Sequence, residues 1–99
     1  MTSRPIHPGE HLAEELRELE MTAAAFARHL KVPASRITQI LNGRRAISGD
    51  TALRLAHFFG TSSQFWMNLQ GLYDVKLAQC KAQKIIRTLP TMKMLRRTA

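Results

Sequence analysis

Four polar side chains between residues 35 and 39 have the types and the spacing that recognition of DNA bases requires. They are Ser35, Arg36, Thr38 and Gln39. Hydroxyl, amide and guanidinium groups bond base edges in a major groove about 12 Å wide, which admits a helix. The apolar residues Ile37, Ile40 and Leu41 recur at i, i+3 and i+4 and predict the inward face of a helix over about residues 34–42. This arrangement leaves the four polar residues on its N-terminal and outer surface.

The residues after this helix have the chemistry to hold a phosphate backbone. Asn42 and Gly43 predict the end of the helix, because they tolerate a positive φ, and two arginines follow at once. Guanidinium groups pair with phosphate oxygens, and such contacts fix a protein on a duplex without reading its sequence. The predicted phosphate contacts are Thr22, Asn42, Arg44 and Arg45.

A second short helix and a tight turn precede the polar helix. Thr22 is the predicted N-cap, and Phe26, Ala27 and Leu30 form an apolar face in which the small Ala27 lets the next helix cross closely. In the turn at residues 31–33, Val32 is an apolar plug and the following proline suits the start of a helix. Together these features predict a helix-turn-helix DNA-reading unit. The alternative is a helical hairpin with an ordinary solvated basic loop.

Apolar periodicity outside this unit predicts three more helices and therefore an all-α bundle of five. They are expected at about residues 8–19, from about 48 to 60, and from 61 to no further than Thr88, since Pro90 disfavours helix in the residue before it. Residues 1–82 would form one domain. Residues 83–99 would form a mobile basic tail, either an extra contact to the DNA backbone or a solvated end without a specific role.

The last predicted helix offers more apolar surface than a small core needs. We expect a dimer contact there, with the alternative that the aromatic residues complete the core of the monomer. The candidate dimer residues are Trp66, Leu69 and Tyr73. The single cysteine, Cys80, cannot form an internal disulfide.

Charge divides the chain into two unequal parts. The net charge is −2 over residues 1–30 and +10 over residues 31–99. This split suggests a polyanion bound on one side and a basic partner on the other. The candidate contacts to a basic protein are Glu14, Glu15 and Glu18, and the alternative is a solvated acidic helix.

Catalytic, metal and cofactor sites are not expected. The four histidines are scattered, and His7 and His11 are separated by Pro8-Gly9, which argues against a helical metal site. The carboxylates lie almost wholly on one helix, and no glycine-rich loop could cradle a phosphate. Because no catalytic arrangement is found, we expect that the protein is not an enzyme. The sequence also has neither a membrane-spanning apolar run nor a signal peptide, so we expect a cytoplasmic protein.

Over about residues 5–79 the chain resembles the HigA-type antitoxins of the phage-repressor-like (XRE) helix-turn-helix family. The matching residues are 5–10 (PIHPGE) with Leu12, 30–43 with Arg44, Ile47-Ser48, 52–56, 65–70 (FWMNLQ) and Tyr73-Asp74. The resemblance implies a lambda-repressor-like fold and a partner toxin, a small basic messenger-RNA endonuclease of the RelE-like fold. It also implies a homodimer that neutralises the toxin and binds a palindromic operator in double-stranded DNA to repress its own operon.

The chain departs from this superfamily at three positions. Many members carry glutamine where this chain has Ala23 and Ala34, and glycine where it has Lys31. The base contacts above are therefore assigned from helix geometry. Two other functions remain as alternatives: a free-standing transcriptional repressor without a toxin, and an RNA- or protein-binding scaffold with the same fold.

Overall fold

The computed structural model describes residues 4–98, in which the chain forms six α-helices and no strand. The helices are α1 (Pro8–Glu18), α2 (Ala23–Leu30), α3 (Ala34–Leu41), α4 (Gly49–Phe59), α5 (Ser63–Thr88) and α6 (Met92–Thr98). The predicted all-α fold with a helix-turn-helix is confirmed, and the five expected helices are present. None of the helices in this part of the chain is long and apolar enough to cross a membrane.

Most of these helices begin with an N-cap hydrogen bond between a side chain and the backbone. The side chain of the residue before the helix accepts a backbone N–H bond at α1, α2, α4 and α5; these residues are His7, Thr22, Ser48 and Ser62. Such caps satisfy N–H groups that have no partner inside the helix. At α3, Pro33 occupies this position without a side-chain bond, and its fixed φ suits the start of the helix.

The core lies where α1 to α4 meet the first half of α5. Leu12, Phe26, Ile37 and Leu55 are fully buried, and the indole of Trp66 lies among them with 1% exposure. The expectation that Trp66 lies at a dimer contact is therefore wrong. Its ring packs near Phe59 within the same chain, which confirms the alternative that this aromatic residue completes the core.

The contact between α1 and α3 depends on a glycine. A Cβ atom built on Gly9 would overlap the carbonyl oxygen of Ile40. Because the atom it meets belongs to the backbone, a side chain at residue 9 would force the two helices apart. Gly9 therefore lets the start of α1 rest directly on the end of α3.

The last part of the chain is helical but lies largely outside the core. Helix α5 runs to Thr88, where Pro90 was expected to end it. Helix α6 was not predicted, because residues 83–99 were expected to be a mobile tail; Ala99 lies outside the described residues. We call residues 78–98 the C-terminal arm. Its large apolar side chains are at least half exposed, Ile85 and Leu95 among them.

Candidate nucleic-acid interface

The outer face of α3 is polar and open to solvent. Ser35, Thr38 and Gln39 are exposed, while Ile37 and Ile40 on the opposite side are fully buried. The Thr38 hydroxyl donates to the carbonyl oxygens of Ala34 at 3.1 Å and Ser35 at 3.2 Å, within its own helix. The face thus presents two hydroxyls and an amide to solvent, and their contact with bases stays a prediction.

Arg36 does not share this outer face. Successive helical residues are about 100° apart, and Arg36 projects from the flank of α3 that adjoins α4. There its guanidinium donates to Asp50 at 2.6 Å, and its side chain is 26% exposed. The prediction that Arg36 reads bases thus meets a competing ion pair, so a base contact would require the guanidinium to leave Asp50.

Asp50 is the centre of an ion-pair cluster that joins three helices. Arg54 donates to the same carboxylate at 3.0 Å and to the carbonyl oxygen of Leu30, at the end of α2, at 2.6 Å. Hydrogen bonds from Arg54 and Arg36 hold the pKa of the Asp50 carboxyl below its usual value. The cluster therefore links α4 to the end of α2 and to the flank of α3.

The basic loop, residues 43–47, continues directly from α3. Gly43 has φ +72°, which confirms the predicted end of the helix, and Arg44 and Arg45 are exposed. The backbone N–H of Arg44 donates to the Gln39 carbonyl at 2.8 Å. The Arg45 guanidinium donates to Oε1 of Gln39 at 3.3 Å, so the loop and the polar face form one continuous surface.

The other predicted phosphate contacts lie at helix ends. Thr22 is exposed, and its hydroxyl oxygen accepts from the N–H of Ala25 at 3.1 Å as the cap of α2. Asn42 is exposed at the end of α3. Both flank the helix-turn-helix unit, at the ends where backbone contacts are expected.

Two buried polar residues behind the basic loop were not predicted from the sequence. His7 caps α1, accepts the Gly9 N–H at 2.9 Å and lies against the backbone of Arg45. Burial lowers the pKa of its imidazole, and the nearby backbone of Arg45 opposes that shift. Gln70 on α5 accepts the N–H of Ile47 at 2.7 Å. The available signal was their place in the HPGE and FWMNLQ motifs.

The remaining predicted contacts lie on α1 and α5. Glu14 and Glu18 are exposed on α1, and Glu15 is partly exposed with its carboxylate 3.8 Å from His11. Leu69 and Tyr73 are partly exposed and line an open groove of about 430 Å³ between α5 and the residues before α1. Within residues 4–98, no group of His, Cys, Asp or Glu side chains is arranged to hold a metal ion.

These features define a helix-turn-helix protein, with a polar second helix and a basic loop after it. A family model described as Helix-turn-helix matches residues 12–66, over half of the chain. The chain belongs to this family and, within it, to the HigA antitoxins, which are binding proteins rather than enzymes.

Two solved HigA proteins support the narrower assignment, and a third similar protein is a sequence relative over most of its length. An addiction module antidote protein of the HigA family from Coxiella burnetii has a TM-score of 0.88 and 57% identity, over 90% of this chain and 98% of that chain. The Pseudomonas aeruginosa antitoxin HigA, solved with the higBA promoter, has a TM-score of 0.86 and 45% identity, over 90% and 99%. Virulence-associated protein I of Dichelobacter nodosus is 45% identical over 86% of this chain and 80% of its own length.

Proposed function

We propose that this chain binds operator DNA with α3 in the major groove. In this proposal Ser35, Thr38 and Gln39 contact bases, and Arg36 joins them by exchanging Asp50 for a base. The phosphate contacts are those at the edges of the unit, namely Thr22, Asn42, Arg44 and Arg45. The continuous surface of the polar α3 face and the basic loop carries the proposal, and the similar Pseudomonas aeruginosa protein was solved with promoter DNA.

Substitutions on α3 and in the loop test these two roles. Gln39→Ala should weaken operator binding by about 1–3 kcal/mol and leave binding to random DNA nearly unchanged. Arg44→Ala should weaken both and lower the slope of log K against log salt by about one. Gln64→Ala is the matched control, since Gln64 is exposed on α5 and bonds Asn68 instead. Equal losses on operator and random DNA for both variants would contradict the assignment.

We further propose that the operator is palindromic and that a homodimer binds it. One reading helix covers few base pairs, and a two-fold dimer would place two of them about 10 base pairs apart. The exposed apolar groove beside α5, which Leu69 and Tyr73 line with the 70% exposed Leu72, supports this contact. Leu72→Glu should yield monomers in sedimentation and weaken operator binding, whereas Leu19→Glu, at the exposed residue just after α1, should not change the sedimentation. A monomeric wild-type protein would overturn the proposal.

The third part of the proposal is neutralisation of a RelE-like messenger-RNA endonuclease in the cytoplasm. The membership in the HigA antitoxins supports it. An enzyme that holds RNA needs a basic surface, and Glu14, Glu15 and Glu18 offer carboxylates on α1, outside the polar face and the loop. Both ligands would then be bound together.

Surface plasmon resonance with the protein encoded beside this gene tests that part. Changing the three glutamates to lysine should slow association, more strongly at low salt, and leave operator binding intact. An unchanged association rate would remove these glutamates from the interface. Absence of any complex would favour a free-standing repressor.

A further inference from the structure

We propose that His7 and Gln70 are positioning residues for DNA binding. They hold the basic loop from behind, so that Arg44 and Arg45 keep a fixed place beside α3. The inference rests on the proposed function and assigns to two buried residues a role in phosphate binding.

Bonds from outside the loop secure its second half. Its beginning is fixed locally, because Gly43 N–H donates to the Ile40 carbonyl at 3.0 Å and Arg44 N–H to the Gln39 carbonyl at 2.8 Å. Further on, the His7 ring lies against the backbone of Arg45, and the N–H of Ile47 donates to the side-chain oxygen of Gln70 at 2.7 Å. The loop therefore depends on α5 and on the residue before α1 for its path.

The His7 ring is fixed on several sides. It is 7% exposed, and Nδ1 accepts the Gly9 N–H at 2.9 Å, which leaves Nε2 as the nitrogen that can donate to the loop. Its edge packs on the Tyr73 ring with centroids 4.9 Å apart, and a Cβ on Gly43 would lie 3.8 Å from it. A loop displaced from this position would separate the Arg45 backbone from the ring and lose the packing of Gly43 against it.

The Gln70 amide is oriented by a second bond. Its NH₂ group donates to Asp74 at 2.9 Å, which directs the carbonyl oxygen to the N–H of Ile47 at 2.7 Å. The residue is 5% exposed. Because an unpaired buried N–H is costly, the amide holds the loop at this point.

A fixed loop favours phosphate binding for a physical reason. Bonds between guanidinium groups and phosphates are short and directional, so they form fully only where the backbone presents both arginines at once. A loop that moves in the free protein must be ordered on binding, and this ordering opposes association.

The test uses variants that remove the bonds to the loop and keep the fold. His7→Ser keeps an oxygen that can cap α1 but cannot reach Arg45. Gln70→Met keeps a long side chain of similar shape without the amide. The matched controls are His11→Ser and Gln64→Met, since His11 lies on the helix that His7 caps, Gln64 lies on α5 with Gln70, and both bond other residues instead. Full-length protein, operator DNA and random DNA are titrated by fluorescence anisotropy at several salt concentrations, and thermal unfolding is followed by circular dichroism.

Each variant should bind both DNAs about tenfold more weakly and show a salt slope lower by about one, while the controls match the wild type. Lower stability alone reduces the active fraction and does not change the slope. Hydrogen exchange of the Ile47 amide in free protein should also accelerate in Gln70→Met.

Wild-type salt slopes in both variants would overturn the inference and leave the proposed function standing. Failure of the wild-type protein to bind operator DNA would overturn the proposed function, and the inference with it.

Discussion

The basic loop and the C-terminal arm are both cationic, but they hold their charges differently. The arm carries six Lys or Arg residues and no acid, on a largely exposed helical segment. The loop carries two arginines, and its backbone is bonded to buried Gln70 and packed against buried His7. The loop thus has fewer charges than the arm, but its charges lie at defined positions.

This difference separates two uses of positive charge. Cations of either region attract a polyanion, and salt screens that attraction. Contacts that fix the register of a protein on a duplex require donors at defined places beside the reading helix. The number of charges alone therefore favours the arm as the site of phosphate contacts. The fixed geometry favours the loop.

The largest effect is expected at Gly9, where the start of α1 rests on the end of α3. Gly9→Ala places a methyl group against the Ile40 carbonyl, which cannot yield without moving α3, and should destabilise the protein by about 3 kcal/mol. Urea denaturation measures it. Gly71→Ala is the control, because a Cβ there meets nothing within 4 Å and alanine favours the α5 helix. Similar changes in both variants would show that α1 does not rest on α3 through residue 9.

A direct comparison of the two regions comes next. Replacing Arg44 and Arg45 together by alanine should lower the salt slope of operator binding by about two, one for each phosphate contact. Replacing Lys93, Arg96 and Arg97 should change it by less than one, because the arm lacks a fixed place beside α3. Fluorescence anisotropy at four salt concentrations gives both slopes. An equal fall for the arm variant would make the arm a phosphate contact and remove the contrast.

Those features of the fold that depend on local patterns are predictable from the sequence. The ends of α2, α3 and α5 follow from caps, glycine and proline, and the polar face of α3 follows from helical periodicity. The pairing of Arg36 with Asp50 could not be foreseen, since it depends on how α3 and α4 cross. The same holds for His7 and Gln70, which meet the loop from residues 38 and 23 positions away in the chain.

The smallest effect concerns the turn between α2 and α3, which lies outside both regions. Lys31 ends α2 with φ +56°, in the left-handed conformation that Gly60 adopts at the end of α4. A side chain there is strained by about 1–2 kcal/mol, and glycine relieves that strain but gains freedom in the unfolded chain. Lys31→Gly should therefore stabilise the protein by about 0.5–1 kcal/mol in thermal unfolding.

Lys31→Ala separates the conformation from the charge. It also removes the ammonium group but keeps a Cβ at a positive φ, so it should give no gain in stability. Operator affinity and its salt slope should stay near wild type in both variants, because the loop and its two buried supports are unchanged. Equal stabilisation by alanine and glycine would assign the effect to the lost charge, and a lower salt slope would place Lys31 among the phosphate contacts beside the loop.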